Sequence, residues 1–163
     1  MSKQQAPHIR DATPGDAAAI HGLVGELADY ESLRHEFVGR VEELKAHLFD
    51  EPRCAHALVA EVQGVVTGFA LYFFNYSTFL CRPGIYLEDL YVQPSQRRQG
   101  IGLALLTELA RRAVARGCGR LEWAVLDWNA PSIAFYRQLG AKPMDEWTTF
   151  RLTGDALTRL ARA

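Results

Sequence analysis

Along the chain the spacing of apolar positions changes several times, and each change predicts a new element. His8 to Asp11 reads as a short strand, and Thr13-Pro14-Gly15-Asp16 supplies the hydroxyl, proline and carboxylate that start a helix. Ile20, Leu23, Leu27 and Tyr30 then recur at helical spacing, so one buried face runs to Glu31-Ser32. Val41, Leu44 and Leu48 give a second, shorter helix that stops at Glu51-Pro52. From Ala57 the period becomes that of strands. Ala57 to Val62, a Gln63-Gly64 turn and Val65 to Tyr76 predict a hairpin. After a loop at Arg82-Pro83-Gly84, Ile85 to Val92 reads as a strand in which alternation sends Tyr86, Glu88 and Leu90 to one face and Leu87, Asp89 and Tyr91 to the other. Pro94 ends it, and Leu103, Leu106, Leu109 and Ala113 mark a helix that closes at Gly117. Leu121 to Leu126 is a further strand, Ile133 to Leu139 a short helix entered at Asn129-Ala130-Pro131-Ser132, and Trp147 to Leu152 a final strand. The order is α/β in class, with a mixed sheet in one domain spanning residues 1–163.

Composition narrows the function classes. The 163 residues, 48% hydrophobic and 23% charged, can bury one core without staples. A net charge of -1 provides no general field for nucleic acid, so any anion site is local. Cys54, Cys81 and Cys118 are odd in number and lack a CxxC pair, which argues against a disulfide framework and a cysteine zinc site. His21, His35, His47 and His56 share no ligand spacing, so no metal is expected. Residues 1–10 lack the apolar core of a signal peptide, and no apolar run is long enough for a bilayer. The expectation is a cytoplasmic protein with neither membrane nor nucleic acid as partner.

The densest chemical signal is Val92-Gln93-Pro94-Ser95-Gln96-Arg97-Arg98-Gln99-Gly100-Ile101-Gly102, between a strand and a helix start. Free backbone N–H groups and the helix dipole favour an anion there, and glycines allow a diphosphate to come close. A P-loop would need Gly-Lys-Ser/Thr, but Gly102 is followed by Leu103 and Ala104. A dinucleotide fingerprint would need a third glycine where Leu105 stands, although Glu122 occupies the place of an acidic ribose ligand. Arg97-x-x-Gly100-x-Gly102 fits a third pattern, Arg/Gln-x-x-Gly-x-Gly/Ala.

That segment, with Val92-x-Pro94 before it, resembles the acetyl-CoA-binding motif of the GNAT N-acetyltransferase superfamily. Tyr86 to Val92, Asp127-Trp128-Asn129, Phe135-Tyr136 and Leu27 to Glu31 are similar to its diamine (spermidine/spermine) and thialysine N-acetyltransferase branch. The resemblance extends from about His8 to Leu160. It implies a mostly antiparallel central sheet with a splayed strand pair, flanked by helices, and acetyl-CoA as cosubstrate. It also implies that Arg97, Arg98, Gln99, Gly100, Ile101, Gly102 and Leu103 hold the diphosphate, and that Leu90, Tyr91 and Val92 offer backbone groups to the pantetheine arm. Asn129, Pro131 and Ser132 would touch the far side of the cosubstrate, Tyr136 matches the catalytic tyrosine, and a homodimer would pair through a sheet edge and the C-terminal segment. The run Leu71 to Phe79 would be a poor exposed edge, which agrees with pairing.

An alkylamine with a pKa near 10.4 must lose a proton before it attacks a thioester, so a base is required. Glu88 is the candidate, directly or through water. Tyr30, Glu31 and Asp89 are candidates for the distal cationic end of the substrate. Tyr136, a phenol, would protonate the departing thiolate, and the Leu90 N–H would face the oxyanion if the strand is bulged there. No acyl-enzyme is required, since the cysteines lie outside these motifs; direct transfer in a ternary complex follows. The residues also admit plainer roles. Packing explains Tyr30 as well as substrate contact does, Glu88 and Asp89 could form caps or ion pairs, and Arg97 could form a solvent salt bridge. As the two carboxylates alternate, at most one would enter a given cleft directly. Asp29 stands where polyamine members of the branch commonly carry a basic residue, implying a more acidic pocket, while Asp127-Trp128-Asn129 looks closer to thialysine-type members. The expected function is acetylation of a primary amine on a small cationic molecule: a diamine, polyamine or lysine-like amino acid. The alternatives are a protein or peptide N-acetyltransferase and a catalytically silent acyl-CoA-binding module.

Overall fold

In the computed structural model, which describes residues 6–163, the first helix opens where the sequence predicts. The Thr13 amide and hydroxyl both donate to the Asp16 carboxylate, at 2.7 and 2.9 Å. Arg10 on strand β1 (His8–Asp11) bridges Asp16 at 2.7 Å and Glu61 at 2.9 Å. The guanidinium and the Thr13 donors hold the Asp16 carboxyl down at about 2.

The chain forms two compact units, Met1–Ala124 and Val125–Ala163. The first contains β1, helices α1 (Ala17–Tyr30) and α2 (Val41–Phe49), strands β2 (His56–Val62), β3 (Val65–Ser77) and β4 (Arg82–Val92), helix α3 (Ile101–Ala115) and strand β5 (Leu121–Trp123). The strands form one sheet in the order β1-β2-β3-β4-β5. Every pairing is antiparallel except β4 with β5, so the sheet is mixed and mostly antiparallel, as expected.

Successive β3 side chains face opposite sides of the sheet. On one side Leu71 joins the cluster of Ile20, Leu23, Leu48, Val59, Phe69 and Tyr91, which α1 and α2 cover. Toward the other, the Tyr72 hydroxyl accepts from Arg112 of α3 at 3.1 Å. Arg112 also pairs with Asp11 at 2.6 Å and Glu108 at 3.0 Å. Helix α3 buries Ile101, Leu105, Leu106, Leu109 and Ala113, whereas Leu103, placed in the core by its spacing, is exposed.

Four expectations need correction. Arg82-Pro83-Gly84, expected as a loop, begin β4 and pair with Ser77, Tyr76 and Asn75 of β3. β5 ends at Trp123 and not at Leu126, because its last partner is Leu87 and an extra residue in β4 begins immediately afterwards. Trp147 to Leu152 form no strand: among the described residues no strand pairs with them, and Trp147 and Phe150, at odd spacing, would face opposite ways. A short helix, Gly154–Leu160, follows instead. Leu71 to Phe79 are not a sheet edge either, since β3 lies between β2 and β4, although the exposed Tyr76 and Phe79 lie at the far end. No helix among the described residues is long and apolar enough to cross a membrane.

Candidate functional site

The extra residue in β4 rearranges the two adjacent carboxylates. Leu71 stands opposite Asp89 while its neighbour Tyr72 stands opposite Leu87, so Glu88 is inserted against nothing on β3. A bulge of this kind bends the strand and shifts its alternation by one position. Phe73 on β3 stacks on Tyr86, at 5.2 Å between ring centroids, and thus Tyr86 lies on the Leu71 face with Asp89 and Tyr91. Strict alternation, which sent Tyr86 and Asp89 to opposite faces, therefore fails at this point.

Electrostatics register the same crowding. Burial, followed by the charges of Glu88 and Glu31, lifts the Asp89 carboxyl to about 6. Burial also raises Glu31, the residue that caps the C-terminus of α1. Three acids from two elements thus share one locality, with Glu88 exposed and the other two half-buried. A cation bound there relieves both the repulsion and part of the desolvation. Asp29, expected to add to this charge, is paired with Arg34 at 3.0 Å and contributes little.

Beyond Leu87, β4 has no strand on its β5 side among the described residues. The Gln93 amide donates to the Thr67 carbonyl, so antiparallel alternation turns the backbone of Tyr91 and Asp89 toward β3 and that of Leu90 and Val92 toward the open side. Leu90 and Val92 therefore turn main-chain groups to that side, where the Val92 carbonyl accepts from Arg97. Tyr91 does not: its backbone faces β3 and its side chain is in the core.

The loop after β4 makes a short 3-10 turn at Pro94–Gln96, then places Arg98 at φ +62° and Gly100 at φ +78°. Helix α3 starts at Ile101 with no side chain capping it, and its first internal bond runs from the Ala104 amide to the Gly100 carbonyl. The amides of Ile101, Gly102 and Leu103 precede that bond, which makes an anion-binding terminus of this helix end. A Cβ added to Gly100 or Gly102 would meet nothing within 4 Å, so the space in front of these amides is open. The residues present fit a diphosphate. Arg98 is exposed beside this space, with Gln99 donating to the Ser95 carbonyl at 3.4 Å.

Arg97 does not form the solvent salt bridge that the sequence admitted. It has no ion pair among the described residues; its Nε donates to the Val92 carbonyl at 2.9 Å, and its guanidinium lies over the Tyr30 ring at 4.9 Å and the Tyr91 ring at 5.4 Å. Tyr30, which the helical stripe assigned to packing or to substrate, is 40% exposed and is one of these two cation-π platforms. The Tyr91 hydroxyl donates to Glu26 at 3.2 Å, and Gln93 Nε2 donates to the same carboxylate at 2.9 Å. Sequence reasoning missed Glu26 and Gln93. The available signal was the i,i+4 placement of Glu26 and Tyr30 on one side of α1.

In the second unit, helix α4 spans Ala130–Gln138. The Asn129 side-chain Oδ1 accepts from the Ser132 amide at 3.3 Å, and Pro131 sits in the first turn, where its missing N–H does no harm. Asn129, a candidate cosubstrate contact, is buried and has this capping role in the fold. Tyr136 lies in the last turn with its ring tilted against Phe135 at 5.5 Å, and its carbonyl accepts from the Leu139 and Ala141 amides. Gly140, at φ +87°, closes that end in the left-handed conformation.

Comparison with known proteins agrees with this geometry. The model of the Acetyltransferase (GNAT) family matches residues 26–141. Thialysine N-epsilon-acetyltransferase of Bos taurus is 43% identical, over 94% of this chain and 96% of that protein. L-ornithine N5-acetyltransferase NATA1 of Arabidopsis thaliana is 34% identical, over 91% of this chain and 85% of that protein. The solved structure of integron cassette protein VCH_CASS6, from the mobile metagenome of V. cholerae, superposes with a TM-score of 0.81 at 27% identity, covering 98% of this chain and 99% of that one.

Proposed function

We propose that this chain, which belongs to the GNAT acetyltransferase family and is an N-acetyltransferase, acetylates a primary amine of a small cationic molecule. Among diamines, polyamines and lysine-like amino acids, the thialysine and ornithine relatives favour the side-chain amine of an amino acid. The observation that carries the reading is the acidic group of Glu31, Glu88 and Asp89 on α1 and the bulge of the strand that leads into the glycine loop.

In this family the acetyl group arrives on acetyl-CoA, as a thioester with an electrophilic carbonyl. The amides of Gln99 through Leu103, with Arg98 at the mouth, bind the diphosphate, and the outward backbone groups of Leu90 and Val92 orient the arm that follows it. Glu31 and Asp89 hold the distal ammonium. Glu88, open to solvent and to a water relay, accepts the proton of the reacting amine. Tyr136, assigned by its motif, donates the proton that the thiolate takes. Pro131 and Ser132 remain candidate contacts to the far side of the cosubstrate. The cysteines lie outside these motifs, which supports direct transfer in a ternary complex. Homodimerisation is part of the same reading, supported by the exposed Trp147, Phe150 and Leu160.

The test is thiol release from acetyl-CoA with thialysine, ornithine, lysine, spermidine, short diamines and lysine-containing peptides. Release is expected to be fastest with thialysine or ornithine. Turnover confined to peptides would transfer the assignment to peptide acetylation, and coenzyme A binding without turnover would leave a silent binding module.

A variant isolates the anion site. Because the space before Gly102 is open, Gly102→Glu adds no clash and places a carboxylate, favourable to the helix dipole, where the diphosphate is to sit. Calorimetric titration with coenzyme A should lose at least about tenfold in affinity, equivalent to about 1.4 kcal/mol. The melting temperature should change little. Unchanged affinity would move the diphosphate elsewhere.

A further inference from the structure

The Arg97 contacts connect two parts of the protein that the proposed function uses for different ligands. Arg97 opens the diphosphate loop, and the next residue, Arg98, already has the positive φ of that loop. Its guanidinium rests on Tyr30, the last residue of α1, and Glu31 of the acidic group follows directly. Tyr91, the second ring under Arg97, is held by Glu26 from the same helix, and Glu26 also binds Gln93, which precedes the loop. The end of α1 is therefore attached to both ends of the segment from Tyr91 to Arg97. None of these five side chains is needed to bind either ligand for this connection to exist.

Resting on the proposed function, we infer that Arg97 is a positioning residue that couples the cosubstrate loop to the amine-binding end of α1, making the two ligands bind with positive cooperativity. Its Nε bond to the Val92 carbonyl explains how the connection works. That carbonyl faces the open side of β4, so settling of the loop around a diphosphate acts on the same guanidinium that supports Tyr30. An arrangement of Tyr30 and Glu31 favoured by one ligand is thereby favoured for the other, and linkage requires the effect to be reciprocal. A lysine ammonium can sit over one ring, but it lacks the planar fork by which arginine touches two rings and a carbonyl at once, so lysine does not reproduce the arrangement.

The experiment uses the full chain and coenzyme A, which forms a ternary complex with the amine but cannot turn over. Coenzyme A is titrated calorimetrically alone and with saturating thialysine. In the unaltered protein the amine should tighten coenzyme A binding about fivefold, the low end of typical coupling. In Arg97→Lys and in Tyr30→Leu this ratio should fall to about one, while coenzyme A alone still binds to both. Tyr30 is partly exposed, so Tyr30→Leu carries the test if Arg97→Lys does not fold. A role confined to stability would lower the melting temperature and leave the ratio intact. A ratio of one in the unaltered protein, or a ratio that survives both substitutions, overturns the inference while leaving the acetyltransferase reading in place. Absence of any coenzyme A binding would overturn both.

Discussion

Asp89→Asn is expected to yield a protein that melts at a higher temperature and has lost nearly all activity toward amines. The stability effect follows from the carboxyl having a pKa near 6 in the folded chain against 3.8 in the unfolded one. Between those values the native state holds the proton more tightly, so stability declines as pH rises through the window, and at neutral pH the full penalty is present. The shift corresponds to about 3 kcal/mol at most, and partial exposure reduces this to about 1–2 kcal/mol. Asparagine keeps the shape, removes the charge and relieves Glu31 and Glu88. Thermal melts at pH 7.5 should show a rise of several degrees for a chain of this size. The gap should close near pH 4, where the native aspartate is already protonated. Activity runs the other way: removing the charge that holds the distal ammonium should lower kcat/KM for the amine about 100-fold, with coenzyme A affinity nearly constant. In the unaltered enzyme the same group should raise the amine KM as pH falls through about 6. A variant that is less stable at neutral pH, or equally active, would exclude Asp89 from both roles.

This opposition between stability and activity was not legible in the sequence, and the reason is specific. Alternation along Ile85 to Val92 correctly identified a strand and two unusual carboxylates, but a period of two contains no information about an inserted residue. Whether Glu88 and Asp89 oppose or reinforce each other depends on the register with β3, which is a nonlocal property. Local signals did better. Thr13 with Asp16, Asn129 with Ser132 and Gly140 after Leu139 each define a helix end through contacts a few residues apart, and all three form. The glycine loop was likewise readable, since Gly100 and the amides it exposes lie in one short segment. Arg97 was the opposite case. Its sequence neighbours pointed to phosphate or solvent, while its actual partners, Tyr30 and Tyr91, come from a helix and a strand that the fold brings together. Trp147 to Leu152 failed for a related reason, because strand propensity without a neighbouring strand leaves backbone groups for water to satisfy.

Tyr136→Phe is expected to lower kcat about 100-fold while changing coenzyme A affinity by less than about twofold, a loss in the usual range for removal of a general acid or base. The substitution deletes one oxygen atom. It leaves the Tyr136 carbonyl, which accepts the Leu139 and Ala141 amides at the end of α4, and the ring that lies against Phe135. The Asn129 cap at the other end of the helix is likewise independent of the hydroxyl. These contacts of the helix are therefore kept in the variant. The chemical effect rests on the relative acidity of the two partners. A phenol ionises near 10, above the 8.5 of a thiol, so at neutral pH and up to about 10 a tyrosine is protonated and able to donate to the departing thiolate. With phenylalanine the proton must come from water. The rate should then fall at neutral pH, and the decline that the unaltered enzyme shows as the phenol ionises should disappear. A kcat profile measured from pH 6 to 10.5 under saturating acetyl-CoA and amine separates the possibilities. If the Phe variant retains both the rate and the alkaline decline, the proton comes from another group, and Tyr136 belongs to the packing of α4 and not to the chemistry.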